Sequence, residues 1–128
     1  YYFSKIIDAD FDTAIDVVTE ALKEEGFGIL TTIDVQEKFK EKLDIDFHKY
    51  TILGACSPAH AYKAILHENK IGTMLPCNVI VQDLGKGRTE VSAVNPIESM
   101  SAIENEHLGE IAMDVKERLQ RFVVNLKV

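Results

Sequence analysis

Gly85-Lys86-Gly87 is the most constraining stretch of the chain, because two glycines in so short a connection separate two strand-like runs, Cys77 to Leu84 and Arg88 to about Asn95. Glycine tolerates the positive φ that tight connections need, so the two runs are expected to fold back as antiparallel neighbours. No Gly-rich phosphate loop occurs elsewhere, which leaves a doubly wound nucleotide-binding fold with little support. The hairpin instead points to the α+β class: a mixed or mostly antiparallel curved sheet of about five strands with helices packed on one face.

The remaining elements follow from apolar spacing. Tyr1 to Ile7 alternates as an edge or terminal strand. Asp10 or Asp12 caps a helix running to about Glu25, with Phe11, Ala14, Ile15, Val18 and Leu22 on one face and Gly26 as its stop. Phe27 to Ile33 reads as a second strand, and Asp34 caps a short peripheral helix carrying Val35, Phe39 and Leu43 on one stripe. Tyr50 to Cys56 is a third strand, with Ile52, Gly54 and Cys56 on one face and Leu53 and Ala55 on the other. Ser57 as cap and Pro58 in the first turn then start a helix to about Glu68, followed by a loop from Asn69 to Gly72. Ile97 to Ala102 reads as loop or irregular turn. A final helix spans about Glu104 to Leu126, with Asp114–Arg118 and Glu117–Arg121 as exposed ion pairs. No low-complexity linker interrupts this order, so residues 1–128 are read as one domain.

A chain of 128 residues and 14.4 kDa buries roughly two-thirds of its unfolded surface and needs no disulfide or metal to fold. Its net charge of -7 and pI near 5.0 argue against nucleic-acid binding, which depends on Lys and Arg neutralising phosphates. Lys38, Lys40 and Lys42 are interrupted by Glu37, Glu41 and Asp44, the pattern of a solvated helix face. No apolar run approaches the roughly 20 residues needed to cross a bilayer, and the first residues lack the pattern of a signal peptide. Two cysteines beside an adequate core read as reduced thiols, which places the expected compartment in the cytoplasm. The chain starts on Tyr1 and not on Met, which leaves room for an upstream segment.

Both cysteines stand at an end of an apolar run and beside a proline: Cys56-Ser57-Pro58 and Pro76-Cys77-Asn78. Cys56 just before a helix start is where unpaired amides and the helix dipole stabilise a thiolate, and the same amides could hold a small anion or carboxylate. Pro76 restricts the backbone before Cys77, and Leu75-Pro76 is a bond where either peptide isomer is to be considered. His60 follows one turn after Cys56, giving a conceivable Cys56, Cys77, His60 metal or thiol-imidazole cluster if the fold joins the two strand ends. Asn78 and Asn95 could line a ligand pocket. Core packing for the cysteines, solvation for the histidines, and turn or cap roles for the asparagines are the competing readings.

The blocks Phe27-Gly28-Ile29-Leu30-Thr31-Thr32-Ile33-Asp34-Val35, Tyr50 through Pro58, and Leu75-Pro76-Cys77-Asn78-Val79-Ile80-Val81 carry a family resemblance. The chain resembles the bacterial and archaeal family called domain of unknown function 302 over nearly its whole length, through the paired Gly-x-Cys-x-Pro and Leu-Pro-Cys patterns. The resemblance implies a compact α+β domain, often a homodimer, with a curved sheet covered by helices. It implies no activity, and Cys56, Pro58, Pro76 and Cys77 are the positions that match its pattern. The family commonly has Asn where this chain has Ser57, a change that keeps a capping side chain.

Two functions compete at this stage. The first is a homodimeric binding or regulatory module that holds a small molecule, anion or metal near Cys56 and Cys77. The second is a thiol enzyme or redox sensor in which Cys56 attacks, Cys77 resolves and His60 assists proton transfer. A purely structural or interaction protein is the third reading. Sequence names no cofactor.

Overall fold

Period-two alternation builds the sheet, and three-and-four spacing builds the helices that cover it. The computed structural model describes residues 1–127. They run β1 (Tyr2–Ile7), α1 (Phe11–Glu24), β2 (Gly28–Asp34), α2 (Val35–Leu43), β3 (Tyr50–Cys56), α3 (Pro58–His67), a 3-10 helix (Asn69–Met74), β4 (Cys77–Gly85), β5 (Arg88–Val94), α4 (Pro96–Ser99) and α5 (Glu106–Val124). The five strands form one sheet in the order β1-β5-β4-β3-β2, every pair antiparallel. The hairpin closes as the glycines require, with Gly85, Lys86 and Gly87 all at positive φ (81°, 56° and 72°).

Alternation sorts the sheet into two unlike faces. Leu53 and Ala55 of β3, Val79 and Val81 of β4, and Val91 and Ala93 of β5 are buried against α1 and α5. Those helices contribute Ala14, Val18 and Leu22 from α1 and Val115, Leu119, Phe122 and Val123 from α5. The opposite face carries a register row across all five strands, Ile33, Ile52, Ile80, Ser92 and Ser4. Ser4 and Ser92 join their hydroxyls across that row at 2.9 Å. Ile33, with Tyr2 and Ile6 on the same face, is exposed.

Local chemistry sets the helix ends. Asp10 and Asp34 accept from the amides of Thr13 and Glu37, as N-cap carboxylates do. Lys5 of β1 donates to the carbonyls of Val124 and Leu126 at 3.0 and 2.7 Å, placing a cation at the negative end of α5. Three sequence readings change. The expected loop at Asn69 to Gly72 is a 3-10 helix, which buries Ile71. The segment after Asn95 winds into α4, because the Asn95 side chain accepts from the Ile97 amide and Pro96 is pre-set for a first turn. Arg121 reaches across to Glu25 at 3.0 Å instead of pairing with Glu117 along its own helix.

A second, smaller apolar cluster forms beyond the main core. Ala64, Ile71 and Leu108 are buried there, with Leu75, Met100, Ile103 and Ile111 packed around them. It unites α3, the 3-10 helix, α4 and the start of α5, and its junction with the main core is where the two sequence motifs meet.

Candidate functional site

Gly54 explains why the two cysteine motifs lie together. β3 and β4 pair with Gly54 opposite Asn78 and Ala55 opposite Cys77, so the end of one motif abuts the start of the other. A Cβ on Gly54 would stand 2.7 Å from Cγ of Pro76 and in collision with Oγ1 of Thr31. The missing side chain thus leaves the space that the Thr31 hydroxyl and the Pro76 ring occupy. The Leu75–Pro76 peptide is cis.

A cavity of about 40 Å³ opens beside this junction, with space for about three water-sized groups. Its floor is main-core surface, including Phe27, Ala55, Cys77 and Val115, and its far wall is Leu75, Met100, Leu108 and Ile111 of the smaller cluster. Two separately closed clusters of side chains leave an unfilled seam, and the lining is accordingly apolar. Cys56, Ser57, His60 and Pro76 complete the wall, so five of the sequence-derived site residues, counting Cys77, converge here. Pro58 begins α3 without lining the cavity. Asn78 does not join them: alternation along β4 turns it to the opposite face, where it lines a shallow groove with Tyr2, Ile80 and Ser92.

The thiols are quiet. Burial pushes Cys56 above its ordinary value of 9.0, and burial together with the neighbouring Cys56 pushes Cys77 to about 11. The stabilised thiolate expected from the helix start is therefore outweighed by desolvation. Both cysteines are free, and among the described residues no three His, Cys, Asp or Glu side chains converge to hold a metal. The expected Cys56, Cys77, His60 ligand set does not assemble. Iodoacetamide at pH near 7.5 should accordingly alkylate both thiols more slowly than a free cysteine peptide, and Cys77 more slowly than Cys56. Cys56 reacting faster than the peptide would restore the thiol chemistry.

His60 takes a different partner from the one its spacing suggested. The Ser57 hydroxyl forms no cap bond to its helix and lies 2.6 Å from Nδ1 of His60, while Nε2 of His60 meets Oδ2 of Asp114 on α5. Nε of Arg118 stands 3.5 Å from the other Asp114 oxygen, an ion-pair distance. Its Nη1 donates to the Glu25 carbonyl at 3.1 Å. Asp114 was legible only as one half of an exposed helix pair. The available signal was its position beside Val115 and one turn after Ile111, at the margin of the apolar stripe. His48 and His107 also find partners, Gln82 for the first and a stacked His67 for the second.

The hydrogen bond from His60, helped by the charge of Arg118, holds Asp114 below the ordinary carboxylate value of 3.8. Because the folded value lies below the unfolded one, ionised Asp114 favours the fold at pH above about 4, and that contribution is lost as pH falls through the folded value. Asp114→Asn should therefore be less stable than wild type at neutral pH, with the deficit shrinking in acid. A deficit that stays constant from about pH 7 to about pH 3 in urea titrations would assign the effect to packing.

Fold and site together define an α+β domain with a narrow apolar cavity at the ends of two neighbouring strands and a Ser-His-Asp chain at its rim. The chain belongs to the family described as Domain of unknown function DUF302, whose model matches residues 3–126. It is similar to an uncharacterized conserved DUF302 protein from Bacillus stearothermophilus, known from a crystal structure. The two share 28% identity over 99% of this chain and 98% of that one, with a TM-score of 0.89. No curated protein matches. Among the described residues no helix is long and apolar enough to cross a membrane.

Proposed function

We propose that the chain is a small-molecule binding module whose ligand places an apolar group in the seam above Cys56 and Cys77 and a polar atom at Ser57 and His60. The observation that carries this reading is the convergence of both sequence motifs on one apolar cavity with a polar rim, the usual composition of small-ligand sites. Raised thiol pKa values favour binding over thiol chemistry.

The same reading includes a homodimer in a reducing cytoplasm, supported by free thiols and by the uncovered sheet face. The accessible surface of 7719 Å² exceeds the about 6,800 Å² typical of a monomer of this mass. Exposed Tyr2, Ile6 and Ile33 lie on that open face.

Calorimetric titration with short carboxylic acids, alcohols and esters tests the binding. Ala61 lines the cavity from α3 and is only half-buried, so Ala61→Leu should fill it and weaken binding at least about tenfold, with the fold retained. Absence of heat with every compound, or unchanged affinity in Ala61→Leu, sinks the reading. Sedimentation equilibrium reads the subunit number, and a monomeric mass at all concentrations removes the dimer.

A further inference from the structure

We propose that this site hydrolyses esters of short apolar acids, with Ser57 as nucleophile, His60 as general base and Asp114 as the residue that positions His60. The inference rests on the binding reading and adds a reaction to it. An ionised carboxylate can only accept hydrogen bonds, so Asp114 requires the proton of a neutral imidazole to sit on Nε2 of His60. Nδ1 is then left as an acceptor, and the hydroxyl 2.6 Å away donates to it. That is the directional arrangement of a serine nucleophile and its base, with the two imidazole nitrogens exchanged relative to the familiar hydrolase triad.

The surroundings suit the reaction. Ser57 spends its hydroxyl on His60 and not on its helix, so it satisfies none of the first-turn amides of α3. Pro58 has no amide proton, and the N–H groups of Ala59 and His60 have no acceptor within the helix, which makes them the donors nearest in sequence for an oxyanion. The seam that Ser57 lines is apolar and about 40 Å³ in volume, the scale of a short acyl chain. His60 is mostly buried, its side chain 19% exposed, and Arg118 flanks the far side of Asp114.

The steps balance with water as the only co-reactant. Oγ of Ser57 bonds to the ester carbonyl carbon as its proton passes to Nδ1 of His60. The bond from that carbon to the alcohol oxygen then breaks, and the departing alcohol takes the proton from Nδ1. Water attacks the acyl-Ser57 ester, gives a proton to Nδ1, and the acid leaves as the proton returns to Oγ.

The test is p-nitrophenyl acetate and butyrate hydrolysis by the purified chain, with peptide mass mapping of the acylated protein. Expected are nitrophenol release above buffer, an acyl mass on the Ser57 peptide, and a loss of at least about 100-fold in Ser57→Ala. Asp114→Asn should lower the rate and move the acid limb of the pH–rate profile, which a merely structural role would leave in place. No release above buffer, an acyl group on Cys56 or a lysine in place of Ser57, or equal rates in Ser57→Ala overturns the proposal. Mapping uses the unaltered chain, so it decides the matter even where a variant fails to fold. Calorimetric binding of butyrate without turnover overturns hydrolysis alone, whereas absence of both removes the binding reading as well.

Discussion

Gly54→Ala is expected to destabilise the fold by about 1–3 kcal/mol, the usual range for forcing a methyl into filled space. The added Cβ would lie 2.7 Å from Cγ of Pro76 and would also collide with Thr31 Oγ1. Thr31 is exposed and can turn its hydroxyl away. The Pro76 ring has no such freedom, so β3 and β4 must separate there or the ring must shift. Either movement displaces Cys77 and Pro76 in the cavity wall, and under the proposed binding role the affinity for short acids should fall along with stability. Urea titration reads the first effect and calorimetry the second. Gly28→Ala is the control, since a Cβ there meets nothing within 4 Å. In a Pro76→Ala background the cost of Gly54→Ala should shrink. An undiminished cost in that background would mean that the proline contact is not what reserves the position for glycine.

Phe122→Ala should cost about 3–5 kcal/mol, the range for emptying a buried aromatic site. Phe122 is 1% exposed and faces the sheet from α5 within the main core. Much of a domain's stability is of this size, about 5–15 kcal/mol in all, so the alanine variant should unfold at far lower urea. Phe122→Leu restores most of the volume and should recover most of the loss. A cost below about 1 kcal/mol in the alanine variant would show that the core collapses around the gap and that α5 is held chiefly by its other contacts.

Periodicity made most of the architecture legible. The hairpin at Gly85-Lys86-Gly87, the apolar stripe of α5 and the alternation in β3 and β4 each reflect a local rule that the final structure obeys. The rule was also sufficient to turn Asn78 away from the cavity, since it follows inward-facing Cys77 by one residue. The short helices were less legible. The 3-10 helix and α4 contain too few residues for a period to show, and burial of Ile71 and the cap from Asn95 decide them.

The site divides in the same way. Cys56-Ser57-Pro58 and Leu75-Pro76-Cys77 mark where it lies, because glycine and proline constraints are written into neighbouring residues. The chemistry of the rim was not so written. Asp114 is 54 positions from His60, and only the packing of α3 on α5 brings the carboxylate to the imidazole. That contact engages Nε2 of His60, while the Ser57 hydroxyl meets Nδ1 instead of capping its helix.

By itself the sequence determined the strands, the main helices and the hairpin, since each depends on residues a few positions apart, whereas the pairing of β3 with β4 is what brings the two cysteine motifs together. Tertiary structure alone decided that the thiols are desolvated, that the seam between two apolar clusters stays open, and that Ser57, His60 and Asp114 form a chain at its rim. Those outcomes depend on which surfaces face each other after folding, and no local spacing encodes that.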